Sequence, residues 1–434
     1  MLDDAAIGDL LERRIDRDRR ALSVAVGVVS LDGRRYFTRG VRGAHDPVPV
    51  DADTLFEIGS ATKVITALLL AEAVRRGEVA LDDAAQDHLP SGVRLPERDG
   101  RITLRHLANH TSSLPMFPPG APPFGDPAWS RYSAERLFKA LADFVLPRPV
   151  GEAWTYSNTG YGLLGQALSF AAGVDYETLA RGRVLAPLGM ASTAIALSPA
   201  LAARAATPHG ADLAPTSRLQ LPGLEGAGGF WSSAADMASF VAAALGLVET
   251  PLAAAFAAML DTPRIRNPLG AEQALGWWVW PAAGGGLLNH DGGTAGCAAS
   301  VFCDPATRAG VVVLANSPIP VSELARRILR PDEPGPTALA SPGSGVELTV
   351  AQLERLVGVY EAASGAKFVI EREGAGLALQ APNAPRLVLA PTSETAFAAA
   401  VAGLDAAFTL GPDGRAAALV IDFAGRRTDA RRAS

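Results

Sequence analysis

Ser60 and Lys63 are the residues of this chain whose types and spacing point most clearly to chemistry. They stand in Glu57-Ile-Gly-Ser60-Ala-Thr-Lys63, which is followed by an apolar run to Leu70. The run has the spacing of a buried helix face, so Lys63 should lie one turn beyond Ser60 on the same side. A serine hydroxyl is a weak nucleophile until a neighbouring base takes its proton. A lysine buried at a helix N-terminus can lose its charge and become that base.

The use of lysine at this position strengthens the interpretation. The chain has three lysines, Lys63, Lys139 and Lys367, against 36 arginines. Arginine does not act as a proton acceptor in proteins, whereas lysine can. From the tetrapeptide Ser60-x-x-Lys63 alone, a capping serine followed by an exposed helical lysine stays open as the alternative.

Two later stretches offer the other parts that a serine mechanism needs. Tyr156-Ser157-Asn158 precedes a predicted helix. A phenol beside a cationic lysine would ionise more easily, and Asn158 could hydrogen-bond an amide. His290-Asp-Gly-Gly-Thr294 precedes a predicted strand, where small residues would leave backbone N–H groups open to a substrate. Each stretch also has a structural interpretation, the first as a helix cap and the second as a turn.

The order and spacing of these stretches resemble the signature elements of the penicillin-recognising serine hydrolases. Ser60-x-x-Lys63 is followed after about 95 residues by Tyr156-x-Asn158, and after about 130 more by His290-x-Gly292. The resemblance is to the class C β-lactamase branch, with its D-alanyl-D-alanine carboxypeptidase, D-aminopeptidase and family VIII esterase relatives. It covers about residues 5–330, and its supporting stretches are His110-Thr-Ser-Ser-Leu-Pro115, Pro187-Leu-Gly-Met-Ala-Ser-Thr193 and Gly226-Ala-Gly-Gly229. The tail resembles the small lipocalin-like β domain that follows the catalytic domain in some relatives.

The resemblance implies a role for each of these residues. Ser60 would be the acyl-accepting nucleophile, and Lys63 and Tyr156 would share the work of the base. Asn158 would hold the substrate amide, and the backbone N–H groups of Ser60 and Gly293 would form the oxyanion hole. The other implied substrate-binding residues are His290, Gly292, Thr294 and Phe117. The resemblance implies no cofactor and no metal.

Two departures from the family pattern concern the substrate. His290 replaces a lysine that other members use to anchor a carboxylate, and Phe117 stands about where class C β-lactamases carry a glutamine. An unperturbed histidine is mostly neutral at pH 7.5. Neutral esters or amides with apolar acyl groups are therefore expected to be better substrates than β-lactams.

The predicted function is a serine hydrolase that cleaves an ester or amide through an acyl-enzyme on Ser60. Three alternatives stay open at this point. They are an acyltransferase or peptide-cyclising thioesterase of a biosynthetic pathway, a true class C β-lactamase, and a penicillin-binding protein that acylates without turnover.

The elements that must position these residues follow from the pattern of the chain. Strands come first, then helices and long loops from about 80 to 280, then strands again, which predicts an α+β fold. The resemblance makes this fold β-lactamase/transpeptidase-like, with an antiparallel sheet flanked by helices plus an all-helical lobe. Residues 22–31 should form a hairpin with 35–39 across Asp32-Gly33. Further strands are predicted at 275–280, 295–302 and 310–316, and a turn at 226–229.

The C-terminal part reads as a separate domain. The serine hydrolase domain is predicted at 1–330, and a linker rich in Pro, Gly and Ser at 331–348. Residues 349–434 alternate in short β runs between turns, which predicts a small antiparallel β-barrel or sandwich.

Composition excludes several other classes. A net charge of −6 gives no reason to expect nucleic acid as a partner. No apolar run is long enough to span a membrane, and no signal peptide is recognisable, so a cytoplasmic location is expected unless a leader has been removed. The expected partner is a small-molecule or peptide substrate, and the oligomeric state is not predicted. Cys297 and Cys303 are expected to be buried thiols rather than a disulfide.

Two rival hydrolase classes fit the sequence less well. His106 and His110 have the spacing of zinc ligands, but Leu107 stands where a zinc hydrolase of the H-E-x-x-H type carries its glutamate. An α/β-hydrolase needs a serine in G-x-S-x-G, and none of the serines has that context.

Overall fold

The computed structural model describes 11 segments of the chain, which are 1–122, 125–210, 212–267, 270–282, 286–332, 346–363, 365–373, 376–381, 387–399, 404–423 and 426–433. The chain folds into two compact units. One comprises Met1–Arg266 with Ala271–Glu333, and the other Asn267–Gly270 with Pro334–Ser434. Most of the predicted linker, 333–345, lies outside the described residues. The predicted domain boundaries therefore stay a prediction.

The first unit is built on a mixed-length antiparallel sheet. Its strands are β1 (Ser23–Ser30), β2 (Gly33–Gly43), β3 (Asp46–Pro49), β6 (Ile265–Arg266), β7 (Glu272–Gln273), β8 (Trp278–Trp280), β9 (Leu287–Gly293), β10 (Ala298–Asp304) and β11 (Ala309–Ala315). They pair in the order β3-β2-β1-β11-β10-β9-β8-β7-β6. Two further strands, β4 (Leu55–Glu57) and β5 (Trp231–Ser233), pair with each other in a separate small sheet.

The helices of this unit cover the sheet and form a helical region beside it. They are α1 (Asp4–Glu12), α2 (Thr62–Arg75), α3 (Leu104–Ala108), α4 (Ala134–Ala142), α5 (Asn158–Ala172), α6 (Tyr176–Ala180), α7 (Pro199–Ala202), α8 (Glu225–Gly228), α9 (Ala234–Ala244), α10 (Ala253–Leu260) and α11 (Ser322–Leu329). The predicted α+β fold, an antiparallel sheet with helices plus a helical region, is confirmed.

Strand β1 lies inside the sheet, between β2 and β11, and both of its faces are apolar. Val24, Val26 and Val28 join a core cluster with residues of α1 and α11. Ala25 and Val29, which point to the opposite face, join the larger core cluster that includes α2, α5 and α9. The sheet is therefore enclosed between helices on both sides at this strand.

Local differences from the predicted elements have simple physical reasons. Ser30 pairs with Gly33, so the hairpin turn consists of Leu31 and Asp32, one residue earlier than predicted. The predicted turn at 226–229 is the short helix α8. A Cβ on Gly226 would lie 2.8 Å from the Tyr161 carbonyl oxygen, so this glycine serves the close approach of α8 to α5.

The second unit contains a closed barrel, as predicted. Its strands are β12 (Gly358–Ala362), β13 (Lys367–Glu373), β14 (Gly376–Gln380), β15 (Leu387–Pro391), β16 (Ala396–Ala399), β17 (Leu404–Leu410), β18 (Ala416–Phe423) and β19 (Arg426–Arg432), and one short helix, α12 (Val350–Glu354), precedes them. Tyr360, Leu379, Phe397 and Leu419 are among its buried residues. Closure pairs the first strand with the last, so the barrel has no open sheet edge.

Two smaller predictions can be compared with the structure. Cys297 and Cys303 are both free and buried, as expected. Within the part of the chain that the structure describes, no helix has the length and apolar character needed to cross a membrane.

Candidate active site

The N-terminal end of α2 presents Ser60 and buries Lys63. A single 3₁₀ turn, Gly59–Ala61, precedes α2, and Gly59 has a left-handed φ of +48°. A Cβ on Gly59 would also lie 2.8 Å from the Gly293 nitrogen, so both conformation and space require glycine here. Ser60 is half-buried, whereas the Lys63 side chain has no exposed surface.

The surroundings of Lys63 dictate how its amine is oriented. Its Nζ lies 2.7 Å from Asn158 Oδ1, 2.6 Å from the Ala227 carbonyl oxygen and 3.0 Å from Ser60 Oγ. The first two atoms can only accept hydrogen bonds. A neutral amine, which has two N–H groups, would donate both to these acceptors and turn its lone pair towards Ser60, whereas an ammonium would donate to all three oxygens.

The electrostatics favour that neutral amine. Burial lowers the pKa of Lys63 well below its ordinary value of 10.5. No carboxylate in the described segments offsets this effect of burial on Lys63. Ser60 and Lys63 therefore lie within hydrogen-bond distance of each other, and burial favours the uncharged form of the lysine. The alternative of an exposed helical lysine is wrong.

Tyr156 completes this cluster as a neutral phenol. Its side chain hydrogen-bonds Ser60, and its ring centre lies 5.0 Å from Lys63 Nζ. Burial raises the pKa of Tyr156 far above its ordinary value of 10.0. The easier ionisation expected beside a cationic lysine is therefore wrong, because the same burial that disfavours the phenolate also removes the charge of the lysine.

The segment that carries Tyr156 and Asn158 is both a helix cap and part of the site. Ser157 caps α5, because its Oγ accepts the Gly160 N–H at 2.8 Å. Asn158 is the first residue of α5, and its Oδ1 is the acceptor for Lys63. Its amide Nδ2 is left as the group that can donate to a substrate carbonyl. The segment can therefore cap a helix and belong to the site at once, so these two interpretations do not exclude each other.

A loop around His110 holds this segment in place, which sequence reasoning missed. His110 Nδ1 accepts the Ser157 N–H at 3.1 Å, and its ring lies 4.5 Å from the ring of Tyr156. The Asn158 N–H donates to the Met116 carbonyl at 2.9 Å. His110 has a left-handed φ of +63°, rare for a residue with a side chain. The only signal in the sequence was the supporting stretch His110-Thr-Ser-Ser-Leu-Pro115.

His290 to Gly293 form the end of a strand rather than a turn or a loop before a strand. They belong to β9, where His290 pairs with Val301 of β10. A Cβ on Gly292 would lie 1.9 Å from the Ile58 carbonyl oxygen, so this glycine lets β9 reach the turn that carries Ser60. The same approach places the backbone of Gly293 against Gly59. Gly292 thus supports the site through the backbone.

His290 is buried beside the cluster and is neutral. Only 1% of its surface is exposed, and its ring stacks on Trp278 with 5.4 Å between ring centres. Burial is the largest influence on its imidazole and lowers the pKa of His290 to about 3. This lowered pKa agrees with the prediction that His290 carries no permanent charge at the position where related proteins have a lysine.

The side chain of Thr294 has partners within the protein, and its predicted contact with a substrate stays a prediction. Its side chain is fully buried, and its Oγ1 donates to Glu57 Oε2 at 2.6 Å while accepting the Cys297 N–H at 2.9 Å. Thr294 thus ties the end of β9 to β4.

Glu57 is a further residue that sequence reasoning missed. It is 3% exposed, and its other oxygen, Oε1, accepts the Leu219 N–H. Burial raises the pKa of its carboxyl to about 7, although its hydrogen bonds act in the opposite direction. Three residues before Ser60, it links β4, the end of β9 and the loop at Leu219. Its position in the segment Glu57-Ile-Gly-Ser60 was the available signal.

A cavity of about 300 Å³ lies beside the end of β9. Ala295, Leu219, Arg218 and Trp129 are among the residues that line it. The predicted substrate-binding residue Phe117 is half-buried and packs with its ring centre 5.5 Å from that of Trp129. Its contact with a substrate stays a prediction.

The zinc alternative finds no support in the described residues. His106 Nδ1 hydrogen-bonds Thr103 and completes the cap of α3, and His110 serves the segment described above. In the described part of the chain, no group of three or more His, Cys, Asp or Glu residues is placed to hold a metal ion.

Comparison with known proteins finds relatives of this chain. The family model described as Beta-lactamase matches residues 8–333. The D-alanyl-D-alanine-carboxypeptidase/endopeptidase AmpH of Escherichia coli (strain K12) is 30% identical over 239 residues, which are 53% of this chain and 60% of that protein. The chain thus spans less than two thirds of this relative.

Solved structures with a similar fold include two D-alanine carboxypeptidases or related β-lactamases. A D-alanine carboxypeptidase AmpC from Burkholderia cenocepacia is 27% identical, with a TM-score of 0.64 over 75% of this chain and 99% of that one. A β-lactamase/D-alanine carboxypeptidase from Pseudomonas syringae has a TM-score of 0.66 over 76% of this chain and 99% of that one. At 23% identity, the second shows the shared fold alone.

Proposed function

Because the chain belongs to the β-lactamase family, we propose that it is a serine hydrolase that cleaves an ester or amide through an acyl-enzyme on Ser60. The observation that carries this proposal is the placement of Lys63. Its Nζ lies 3.0 Å from Ser60 Oγ and beside two obligate acceptors, and burial lowers its pKa, which favours the neutral amine that can take the serine proton.

In acylation, one proton passes from Ser60 to Lys63 and then to the leaving group. Ser60 Oγ attacks the substrate carbonyl carbon as its proton passes to Lys63 Nζ. The backbone N–H groups of Ser60 and Gly293 stabilise the negative oxygen of the tetrahedral intermediate. As the intermediate collapses, the bond to the leaving group breaks, and the proton held by Lys63 reaches that group through the phenol of Tyr156. Lys63 and Tyr156 end neutral, as they began.

Hydrolysis of the acyl-enzyme uses the same groups in the reverse order. Water attacks the ester carbonyl and gives its proton to the base, and Ser60 Oγ leaves as a hydroxyl. Asn158 Nδ2 donates to a carbonyl group of the bound substrate throughout.

We infer the substrate class from the uncharged state of His290. Neutral His290 cannot attract a carboxylate as a lysine would. Phe117 packs on Trp129, which lines the cavity beside β9, so part of that cavity is aromatic. Arg218 also lines it, so this cavity carries a positive charge although His290 does not. The proposal of neutral esters or amides as substrates therefore rests on His290.

A covalent probe tests the nucleophile. A fluorophosphonate should add once to the protein, and the adduct should map to the peptide that contains Ser60. Ser60→Ala should abolish the adduct, because no other described serine has a lysine amine oriented in this way. Ser198→Ala, at an exposed helix cap, is the matched control and should label like the wild type. An adduct that survives Ser60→Ala would refute the assignment.

A further inference from the structure

Glu57 joins three parts of the site through the two oxygens of one buried carboxyl. Its own strand, β4, leads directly into the turn that carries Ser60. Oε2 accepts the hydroxyl of Thr294 at 2.6 Å, and Thr294 follows Gly293, whose N–H is proposed for the oxyanion hole. Oε1 accepts the N–H of Leu219, which lines the cavity beside β9. The carboxyl therefore holds the end of the strand and one wall of the cavity to the segment of the nucleophile.

The groups around this carboxyl suit a carboxylate. An ionised carboxyl only accepts hydrogen bonds, whereas a protonated one must also donate one. In the described part of the chain, its oxygens have two hydrogen-bond partners, and both are donors. The Leu219 N–H can only donate. The Thr294 oxygen already accepts the N–H groups of Gly296 at 3.2 Å and Cys297 at 2.9 Å, so it has no lone pair left for a proton of Glu57.

Protonation of Glu57 therefore breaks one of its two contacts. A proton on Oε2 displaces the Thr294 hydroxyl, and a proton on Oε1 meets the Leu219 N–H. Burial acts against these hydrogen bonds, favours the protonated form and raises the pKa of Glu57 to about 7. The two opposing influences bring the change of protonation into the neutral pH range.

Two other ionisable groups of the described segments face Glu57. Arg218 is exposed on the loop that carries Leu219, and its charge favours the carboxylate. The Cys297 thiol is fully buried, and burial raises its pKa well above the ordinary value of 9.0, so it stays neutral while Glu57 titrates. Among the described groups, Arg218 influences the pKa of Glu57 but not that of Lys63. A change at Arg218 therefore separates the titrations of these two groups.

We propose that Glu57 is a positioning residue of the reaction, and that the site is assembled for hydrolysis only when its carboxyl is ionised. This inference rests on the proposed function and adds a pH dependence to it. The carboxylate fastens the Gly293 end of β9 and the cavity wall to the turn of Ser60. In the protonated form one of these contacts is open, so either the oxyanion hole or the cavity is displaced from the nucleophile.

The pH dependence of ester hydrolysis tests this inference. For the wild type, kcat/KM for p-nitrophenyl acetate, corrected for spontaneous hydrolysis, should rise about tenfold between pH 6 and pH 8. The reason is that a group with a pKa of about 7 is about one-tenth ionised at the first pH and about nine-tenths at the second. Glu57→Gln cannot ionise, so it should be slower at pH 8 and should lack this rise.

A second variant moves the same titration without altering the carboxyl. Arg218→Gln removes a charge that favours the carboxylate, so the midpoint of the rise should move to higher pH. Arg327→Gln, exposed on α11, is the matched control and should keep the wild-type midpoint. Because Arg218 is exposed, this comparison can be made even if Glu57→Gln does not fold.

The outcomes distinguish this inference from the proposed function. A wild-type kcat/KM that is the same at pH 6 and pH 8 overturns the inference. It is also overturned by an equal rise in folded Glu57→Gln, which would assign the titration to another group such as Lys63, or by an unmoved midpoint in Arg218→Gln. If Ser60 labels with the fluorophosphonate in these cases, the proposed function stands. Failure of Ser60 to label would contradict the proposed function itself.

Discussion

At the scale of single residues, burial decides the chemistry of the site. Burial disfavours the charged forms of Lys63, Tyr156 and His290 alike. A neutral amine is a base, whereas a neutral phenol or imidazole is a hydrogen-bonding group without charge. Under the proposed function, activation of the nucleophile depends on the lone pair of the amine rather than on an ion pair.

Replacement of Lys63 by arginine tests this role directly. Lys63→Arg introduces a permanent cation and removes the proton acceptor, so it should reduce kcat/KM for an ester about as much as Lys63→Ala does. We expect a loss of roughly 10²-fold or more, which is typical of removing a general base. Lys139→Arg, exposed on α4, is the matched control and should leave the rate unchanged. Retention of most of the activity by Lys63→Arg would mean that the residue acts only through its charge.

Glu57 should make the stability of the fold depend on pH. Its folded pKa of about 7 is raised from an ordinary value of 4.5, so the folded state binds this proton more tightly than the unfolded chain. The resulting stabilisation is complete below pH 4.5 and is lost as the pH rises to about 7. By linkage, it amounts to on the order of 3 kcal/mol.

Chemical denaturation of the full chain at pH 5 and pH 8 measures this effect. Glu57→Gln cannot titrate, so the difference in unfolding free energy between the two pH values should shrink. The variant should also be less stable at both, because one amide oxygen replaces two acceptors that serve Thr294 and Leu219. Glu135→Gln, exposed on α4, should keep the wild-type difference. An unchanged difference in Glu57→Gln would exclude this carboxyl as its source.

At the scale of elements, the site depends on how closely β9 approaches the turn before α2. Glycines at 59 and 292 let the two backbones meet, and the hydrogen bond from Thr294 to Glu57 fastens the end of β9 on the other side. Two elements about 230 residues apart in the chain thus bring together the atoms proposed for the oxyanion hole, at Ser60 and Gly293.

Gly292→Ala should separate these elements. Its Cβ would lie 1.9 Å from the Ile58 carbonyl oxygen, a backbone atom that cannot rotate away. We expect about 1–3 kcal/mol lower stability and a loss of kcat that exceeds any change in KM. Gly8→Ala in α1 is the control, because nothing lies within 4 Å of its added Cβ. That variant should be as stable as the wild type or slightly more so. Full activity of Gly292→Ala would show that the strand can shift without affecting catalysis.

At the scale of the whole molecule, the two compact units have different cores. The first packs helices on both faces of its sheet, and the second closes eight strands around its own apolar interior. Domains with separate cores are expected to be joined by exposed chain that proteases reach first. The sequence places such a segment at 331–348.

Limited proteolysis with elastase, which cleaves after small residues, tests this organisation. Cleavage should begin within 331–348 and leave two resistant fragments. A chain ending at about residue 340 should stay folded, as judged by a cooperative thermal transition, and should still label at Ser60. The full chain carrying Ala338→Asp and Ala340→Asp is the control and should be cut more slowly there. An insoluble shorter chain would indicate that the tail belongs to the same folding unit.

The sequence alone determined the fold class, the barrel and the residues that now form the cluster. Ser60, Lys63, Tyr156 and Asn158 could be identified because their chemistry is local and their motifs are short. The apolar runs of β1 and β11 were equally clear, since a strand buried on both faces is apolar throughout.

Only the tertiary structure decided the protonation states and the direction of each hydrogen bond. The lowered pKa values of Lys63 and His290 and the roles of Glu57 and His110 depend on segments that lie far away in the chain. Strand β9 also escaped prediction, because its glycines resemble a turn until the segment before α2 that they approach is known. A pattern in sequence reports which groups are present, whereas burial and partner geometry, which set their charge and their lone pairs, arise only when distant segments pack together.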